Sequence, residues 1–464
     1  MAYILLPISL FIKHVIGISV SSISYLSEIP IYVYMFIILF ALIIGVKINI
    51  KQWFSIRVAI CIFIVLCCQI IAMMLSHAEI GNNIFNRDPI KEFIKLIIFM
   101  ACIFLHYITV KITVNNEKSI LRFIRGNGIA LIILLMITYL QFLYLLFPNL
   151  FSGIVEFIGR HFENRYDRDW YIAGSYVQTS HRINGLNPES DYLAIQLLVI
   201  FVPFILASIK NKVNIFSIKS KYKGVFFYTV LLFITVILFF AKTTTGIMSI
   251  ILIIMFFWMG LPIKRKITSA SVLLILGFVV YFILINNSFM MEILDKYLFN
   301  KAESDSLMNR IGGTIGLIIT WLKHFIIGIG WNFQNYYLFK NVPIWTTYNA
   351  EYQYVFLPQN YYPVLSVLFG LFAQFGSICV ILIFVYVYNL LKDFRMISKK
   401  AKLIGLNKNE CQIIDAIKDS AYFFFIFYLI SSLFIFYWYE SIYLIMFFFF
   451  VVVRQYFKKK LSRY

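Results

Sequence analysis

Charge is scarce in this chain, and acidic charge most of all. Its 464 residues hold 21 Asp and Glu against 41 Lys and Arg; charged residues make up 13% of the chain and hydrophobic ones 61%. No hydrophilic stretch is long enough to build a soluble domain, so a length that would allow two or three domains reads as one all-helical membrane domain. Cysteine is equally sparing. Cys61, Cys67, Cys68, Cys102 and Cys379 fall in apolar runs and Cys411 in a basic loop, which leaves neither a disulfide framework nor a zinc spacing. No cluster of metal ligands is apparent, and neither metal nor cofactor is expected. No clear internal repeat is found, which weakens a transporter built from related halves.

Apolar length is what the chain has in quantity. A transmembrane helix needs about 20 mostly apolar residues, and roughly twelve runs answer to that. They lie at 3–20, 31–46, 57–75, 93–110, 128–147, 192–209, 225–240, 246–260, 267–285, 364–391, 420–437 and 441–457. The first is interrupted by Lys13 and His14, lacks a basic leading region and shows no small-residue cleavage site, so it reads as a retained span and not a signal peptide.

Basic residues orient these spans. Of the 41, 27 sit in six segments, at 47–57, 111–125, 210–223, 264–266, 392–418 and 454–463, and these alternate along the chain with acid-rich stretches. Positive charge near span ends stays on the cytoplasmic side, so all six segments and both termini are expected inside. The inward face then carries five acids (Glu117, Asp393, Glu410, Asp415 and Asp419), and the basic excess has anionic lipid as its main partner. Nothing in it argues for nucleic-acid binding. Two long loops, 148–191 and 286–360, point outward.

The outward loops carry the chemistry. The first ends in HRINGLNPESDYLA, residues 181–194, where Asn187 and Pro188 make a turn and Glu189, Ser190 and Asp191 crowd the first turn of the next span. Arg182 stands before a flexible Asn184-Gly185 and suits a phosphate or pyrophosphate; pairing with Glu189 or Asp191 is the plain alternative. The second loop holds NRIGGTIGLIITWLKHFIIGIGWNFQNYY, residues 309–337. Its Ile311, Ile315, Ile318, Ile319, Leu322 and Ile326 recur at helical spacing, which predicts an amphipathic surface helix opened by Arg310 and ended by Gly328 and Gly330. Trp331 and the aromatic residues after it suit sugar rings, or equally an interfacial belt. A short outer turn, AKTTTG at 241–246, places Lys242 where it neutralises a lipid phosphate or snorkels to the interface. Pro358 and Pro363 flank Gln359-Asn360 where the second loop re-enters the membrane.

In this order and on these spans, the pieces resemble the O-antigen polymerase and ligase superfamily of bacterial inner membranes. That pattern has an outward Arg, then Gly and an N-P turn, matched by Arg182, Gly185, Asn187 and Pro188. A short Thr or Ser turn, a second Arg and a G-x-G follow, matched by Thr243 to Gly246, Arg310, Gly328 and Gly330; the likeness covers about residues 128–391. The ligase branch carries His-Asn where this chain has Gln359-Asn360, which favours the polymerase branch. His324 and His181 fall at other points of the pattern.

The resemblance implies a GT-C-like glycosyltransferase of the inner membrane with its site facing the periplasm. Its donor would be a glycan on undecaprenyl diphosphate and its acceptor a second lipid-linked repeat unit, with a chain-length-regulating co-polymerase as a further partner. Arg182 and Arg310 are then expected to stabilise the leaving diphosphate, with Lys242 weaker, and Asp191 or Glu189 to accept the acceptor's proton. Asn187, Gly328, Gly330, Trp331 and Asn360 join Lys242 as expected substrate-binding residues. Asp167-Arg168-Asp169 resembles a metal-holding D-x-D pair, but nucleotide sugars are cytoplasmic, so a solvated segment is expected. The rival functions are a ligase, a flippase for the same lipid-linked glycan, and a non-catalytic assembly partner.

Overall fold

The computed structural model describes residues 1–11, 29–45, 56–165, 169–216, 224–260, 305–434 and 437–462, with isolated residues between 263 and 282. The expected first span lies partly outside the described residues and the span at 267–285 largely so. Among the described residues the chain is helical, with no strand. In chain order the helices are α1 (Leu5–Phe11), α2 (Ile29–Ile43), α3 (Ile56–Ile80), α4 (Pro89–Thr113), α5 (Glu117–Leu146), α6 (Pro148–Phe162) and α7 (Tyr176–Ser180). There follow α8 (Ser190–Asn211), α9 (Gly224–Phe240), α10 (Thr244–Met259), α11 (Asp305–Lys323), α12 (Gln334–Asn341), α13 (Val367–Leu403), α14 (Lys408–Ser431) and α15 (Ser441–Leu461). Six of them, α3, α4, α5, α8, α13 and α15, are long and apolar enough to cross a membrane; α2, α9 and α10 are apolar but shorter. Cys411, expected in a loop, lies in the first turn of α14.

The chain marks its own helix starts. Asp88 caps α4, its Oδ1 accepting from the Ile90 and Lys91 amides at 2.8 and 3.2 Å, and Pro89 fills the first position, where no amide is needed. Asn116 and Ser119 close a reciprocal capping box at the start of α5.

Burial sorts the spans into a centre and a rim. In α3 only 17% of the apolar window is buried, so most of its side chains face out, as a lipid-facing helix requires; in α8 the figure is 89%. Helix α8 is therefore the central post, packed against α14 and α9 in the main apolar core. Its ladder widens to a π-helix at Leu197–Phe201, and the fully buried Asn127 of α5 donates to the Ile200 carbonyl there at 3.3 Å. The side-chain amide thus compensates a distorted stretch where water is excluded.

Polar contacts tie the two ends of the bundle differently. At the ends that carry the basic segments, Lys460 meets Glu117 at 2.7 Å, Lys210 meets Asp419 at 3.1 Å and Lys458 meets Asp393 at 2.8 Å. Four of the five acids expected on that side, Asp415 included, thereby hold helix ends together and neutralise part of the basic excess. The opposite ends carry Lys95 with Glu92, Lys340 with Glu79, and Arg310 with Asp191.

At that second end α13 is broken. Gly376 has φ 72° and ψ 174°, and the freed backbone is met by the segment after α11: Ile329 N donates to Ala373 O at 2.9 Å, Gly330 N to Gln374 O at 3.0 Å and Ser377 N to Phe325 O at 2.9 Å. A side chain on Gly376 would meet the Ile326 carbonyl at 2.4 Å, and one on Gly328 would meet the Gln374 carbonyl at 2.5 Å. Glycine is needed at both by φ and by space. Helix α11 itself ends at Lys323, five residues before the glycine expected to end it, because the chain leaves the helix to pair with α13. Its buried face is not the isoleucine stripe but Asn309, Gly312, Gly313, Gly316, Leu317 and Thr320, while Ile311 and Leu322 stay exposed. Small residues let Thr346, Tyr362 and Val342 press against the helix backbone.

Candidate functional site

The first turn of α8 gathers the predicted residues. Asp191 there receives Arg310 from the start of α11, Nη2 to Oδ2 at 3.4 Å, which joins the two long loops. The side chains are 31% and 21% exposed, and the contact is single and long, so it fastens weakly, at about 1 kcal/mol or less. Most of the guanidinium's donors are left for another ligand. What positions Arg310 is its buried neighbour. Asn309 donates to Asn349 Oδ1 at 3.1 Å and to Glu351 Oε2 at 2.8 Å, and its carbonyl accepts from the Tyr362 hydroxyl at 2.9 Å.

Arg182 is held by a buried polar clamp. The Asn184-Gly185 pair, expected to be flexible, is fully enclosed: Gln141 of α5 donates to Asn184 Oδ1 at 3.0 Å and to Gly185 O at 2.8 Å, and accepts from Gly185 N at 2.8 Å. Asn184 in turn donates to Glu163 and to Asn187 O, and Glu163 accepts from Tyr176 N at 3.0 Å. Gly185 turns the chain with φ 62°. Buried amides with every partner supplied are rigid, since releasing one would leave an unpaired group in a low-dielectric place. Asn187 belongs to this clamp, donating to Gln196 Oε1 at 3.0 Å, and its role here is to shape the turn.

The clamp leaves Arg182 half-buried and without an ion-pair or hydrogen-bond partner among the described residues; Asp191, one of the two acids weighed as an alternative partner for it, is taken by Arg310. Burial pushes the Tyr176 phenol above its ordinary value while the Arg182 guanidinium pulls it back and Glu189 opposes that pull, so both charges act on this ring. Lys242 stands in the turn after α9. Ile183 N donates to Phe240 O at 3.3 Å, so the Arg182 and Lys242 turns touch through backbone, and Lys242 (φ 51°) likewise has no acidic partner among the described residues. Thr243 caps α10 behind it, accepting from Gly246 N at 2.9 Å. Among the described residues, Arg182 and Lys242 thus lack ion-pair partners on adjoining turns, and Arg310 is loosely paired at the start of α8.

Aromatic rings flank this start. Tyr192 stacks on Tyr437 at 5.2 Å between centroids and 8° between planes, one residue from Asp191. Neither tyrosine stood out in the sequence, where 31 tyrosines dilute any signal. Gln141 and Glu163 carried a usable one: a polar residue near the end of an apolar span and a buried acid both demand partners.

The remaining predicted residues are elsewhere. Gly328 and Gly330 serve the backbone pairing to α13 and the close approach to Met73. Trp331 packs between Phe99, at 4.4 Å, and Phe375, at 5.8 Å, and its amide donates to Gln69 Oε1 at 3.0 Å. Arg310 and this turn sit at opposite ends of α11, about 20 Å apart at 1.5 Å per residue. Asn360 is exposed with φ 51° on the loop before α13. His324, beyond the end of α11, faces Glu79 at 3.7 Å and the Tyr337 ring at 4.9 Å. Asp167 and Arg168 lie outside the described residues, and no group of three metal-binding side chains occurs among the described ones. No family model, no curated protein and no solved structure matches this chain.

Proposed function

We propose that this protein is a membrane glycosyltransferase of the O-antigen polymerase type, joining undecaprenyl-diphosphate-linked repeat units at the periplasmic face of the bacterial inner membrane. The observation that carries this reading is that Arg310 pairs loosely with Asp191 in the first turn of α8, while the Arg182 and Lys242 turns, joined through backbone, leave both cations without an ion-pair partner among the described residues. A half-buried cation without a counter-charge is costly, and a diphosphate supplies the missing charge. The acceptor hydroxyl attacks the anomeric carbon of the donor glycan, the bond to the lipid diphosphate breaks, and the electron pair leaves with the diphosphate. The guanidiniums meet the charge that develops there, more in the transition state than in the ground state. Asp191, turned toward Arg310, accepts the hydroxyl proton or steers the guanidinium, and Glu189 is the second carboxylate at the same turn. Tyr437, stacked on the buried Tyr192, provides an apolar ring face for a sugar.

A flippase would line a path with charges inside its spans. Of the few in-span charges, Lys95 is neutralised by Glu92 at 2.8 Å, and Glu440 stands at the start of α15, which supports the enzyme over the transporter. A strain lacking the protein should export and ligate single repeat units, leaving lipid A core with one unit and no ladder. A bare core would instead indicate the ligase or the flippase.

A further inference from the structure

Helix α6 follows span α5 after a single intervening residue, yet it does not continue the span. Val155 of α6 and Tyr144 of α5 share one buried cluster with Val177, whereas a straight helix would set residues eleven apart about 16 Å from each other along the axis. The chain therefore folds sharply at Phe147-Pro148 and α6 lies across the span's end. Its docked face is Val155 and Gly159; a Cβ on Gly159 would meet Ser175 Cβ at 2.4 Å, and Gln178 Nε2 donates to Ser152 O at 3.2 Å. At about 100° per residue, Leu150, Ile154 and Phe157 fall on the opposite side. They are 75%, 47% and 57% exposed.

We infer that α6 is an interfacial helix whose Leu150, Ile154 and Phe157 face is embedded in the lipid leaflet at the loop end of the bundle, fixing the height of the Arg182 turn. The occupant is lipid because α6 begins where a span ends, so this face stands at the surface of the very bilayer the spans cross. A second protein is a poor fit: a helix of 15 residues is about 22 Å long, and its outer face falls well short of the roughly 800 Å² per partner that stable interfaces bury. The link to the site is direct, since α6 holds α7 through Gly159 and Gln178, and His181-Arg182 follow α7 without a break. This inference needs only that the long spans cross a bilayer and stands apart from the glycosyl-transfer reading.

Two measurements on the full chain in nanodiscs of phosphatidylethanolamine and phosphatidylglycerol test it. Nitroxide labels at 150, 154 and 157, in a version with the six cysteines replaced, should collide with oxygen in preference to a water-soluble nickel chelate, and labels at 152 and 156 should not. A photo-reactive benzoylphenylalanine at position 157 of the otherwise native chain should yield lipid adducts. Nickel access at 150, 154 and 157 equal to that at 156 would overturn the inference, and so would cross-links from 157 to protein or to nothing.

Discussion

Arg310 and Asp191, 119 residues apart in the chain, meet at 3.4 Å and bring the two long loops together at the start of the most buried of the long apolar helices. The contact is too long and too exposed to be a fastener. It holds a guanidinium at the first turn of α8, the turn that follows the Arg182 clamp.

Removing either guanidinium should therefore abolish function without unfolding the protein. Arg182→Ala and Arg310→Ala are each expected to lose a hundredfold or more of polymer, about 3 to 4 kcal/mol of transition-state stabilisation, at wild-type levels of inserted protein. Lys at either position restores only part, lacking the planar fork. Polymer ladders on gels, matched to membrane protein by immunoblot, give the answer; near-normal ladders in both Ala variants would reject the diphosphate clamp.

Gln141→Leu should act by a different route. It orphans Asn184 and the Gly185 backbone inside the bundle at about 1 to 3 kcal/mol for each unpaired group, so thermal unfolding in detergent should fall by several degrees and activity with it. An unchanged unfolding temperature would mean that the clamp is not formed.

Two glycines of similar φ should differ sharply. Gly376→Ala, with a carbonyl 2.4 Å from the new Cβ, is expected to lose most folded protein, whereas Gly405→Ala (φ 77°, with open space around it) should cost about 1 kcal/mol. Size-exclusion profiles of the two variants would separate these outcomes. Equal profiles would contradict the paired break in α13.

His324 gives a pH signature. Burial lowers its pKa below 6.5, against the pull of Glu79 and with the repulsion of Lys323 and Lys340. The folded state thus disfavours the proton that the unfolded chain takes up near 6.5. Its contribution to stability is complete above that pH and is lost as pH falls from 6.5 toward the folded value. His324→Asn should flatten the decline of unfolding temperature over that window, and a curve parallel to wild type would rule the effect out.

Much of this was legible from rarity. In a chain this apolar, Arg182 and Asp191 stand out as charges near a span end and Arg310 as a charge at the start of a helix in the second long loop, and residues of the basic segments share ion pairs. Pairing was not legible, because a contact across 119 residues leaves no periodic trace. The Asn-Gly dipeptide read as a loose turn because its restraint comes from Gln141, on another helix. Gly328 and Gly330 looked like a helix end, since the carbonyls that need them belong to α13, about 45 residues onward. Helix α6 was passed over as loop, its apolar face too short to count as a span.

The most direct test of the account is a charge exchange assayed by elongation of purified lipid-diphosphate-linked repeat units in nanodiscs. Arg310→Asp, Asp191→Arg and the double exchange should all elongate at least a hundredfold more slowly than wild type, although the exchanged pair still joins the loops and unfolds at the wild-type temperature. Recovery of near wild-type elongation in the double variant would show that the pair is only a bridge between loops, and would contradict a guanidinium at position 310 acting on the leaving diphosphate.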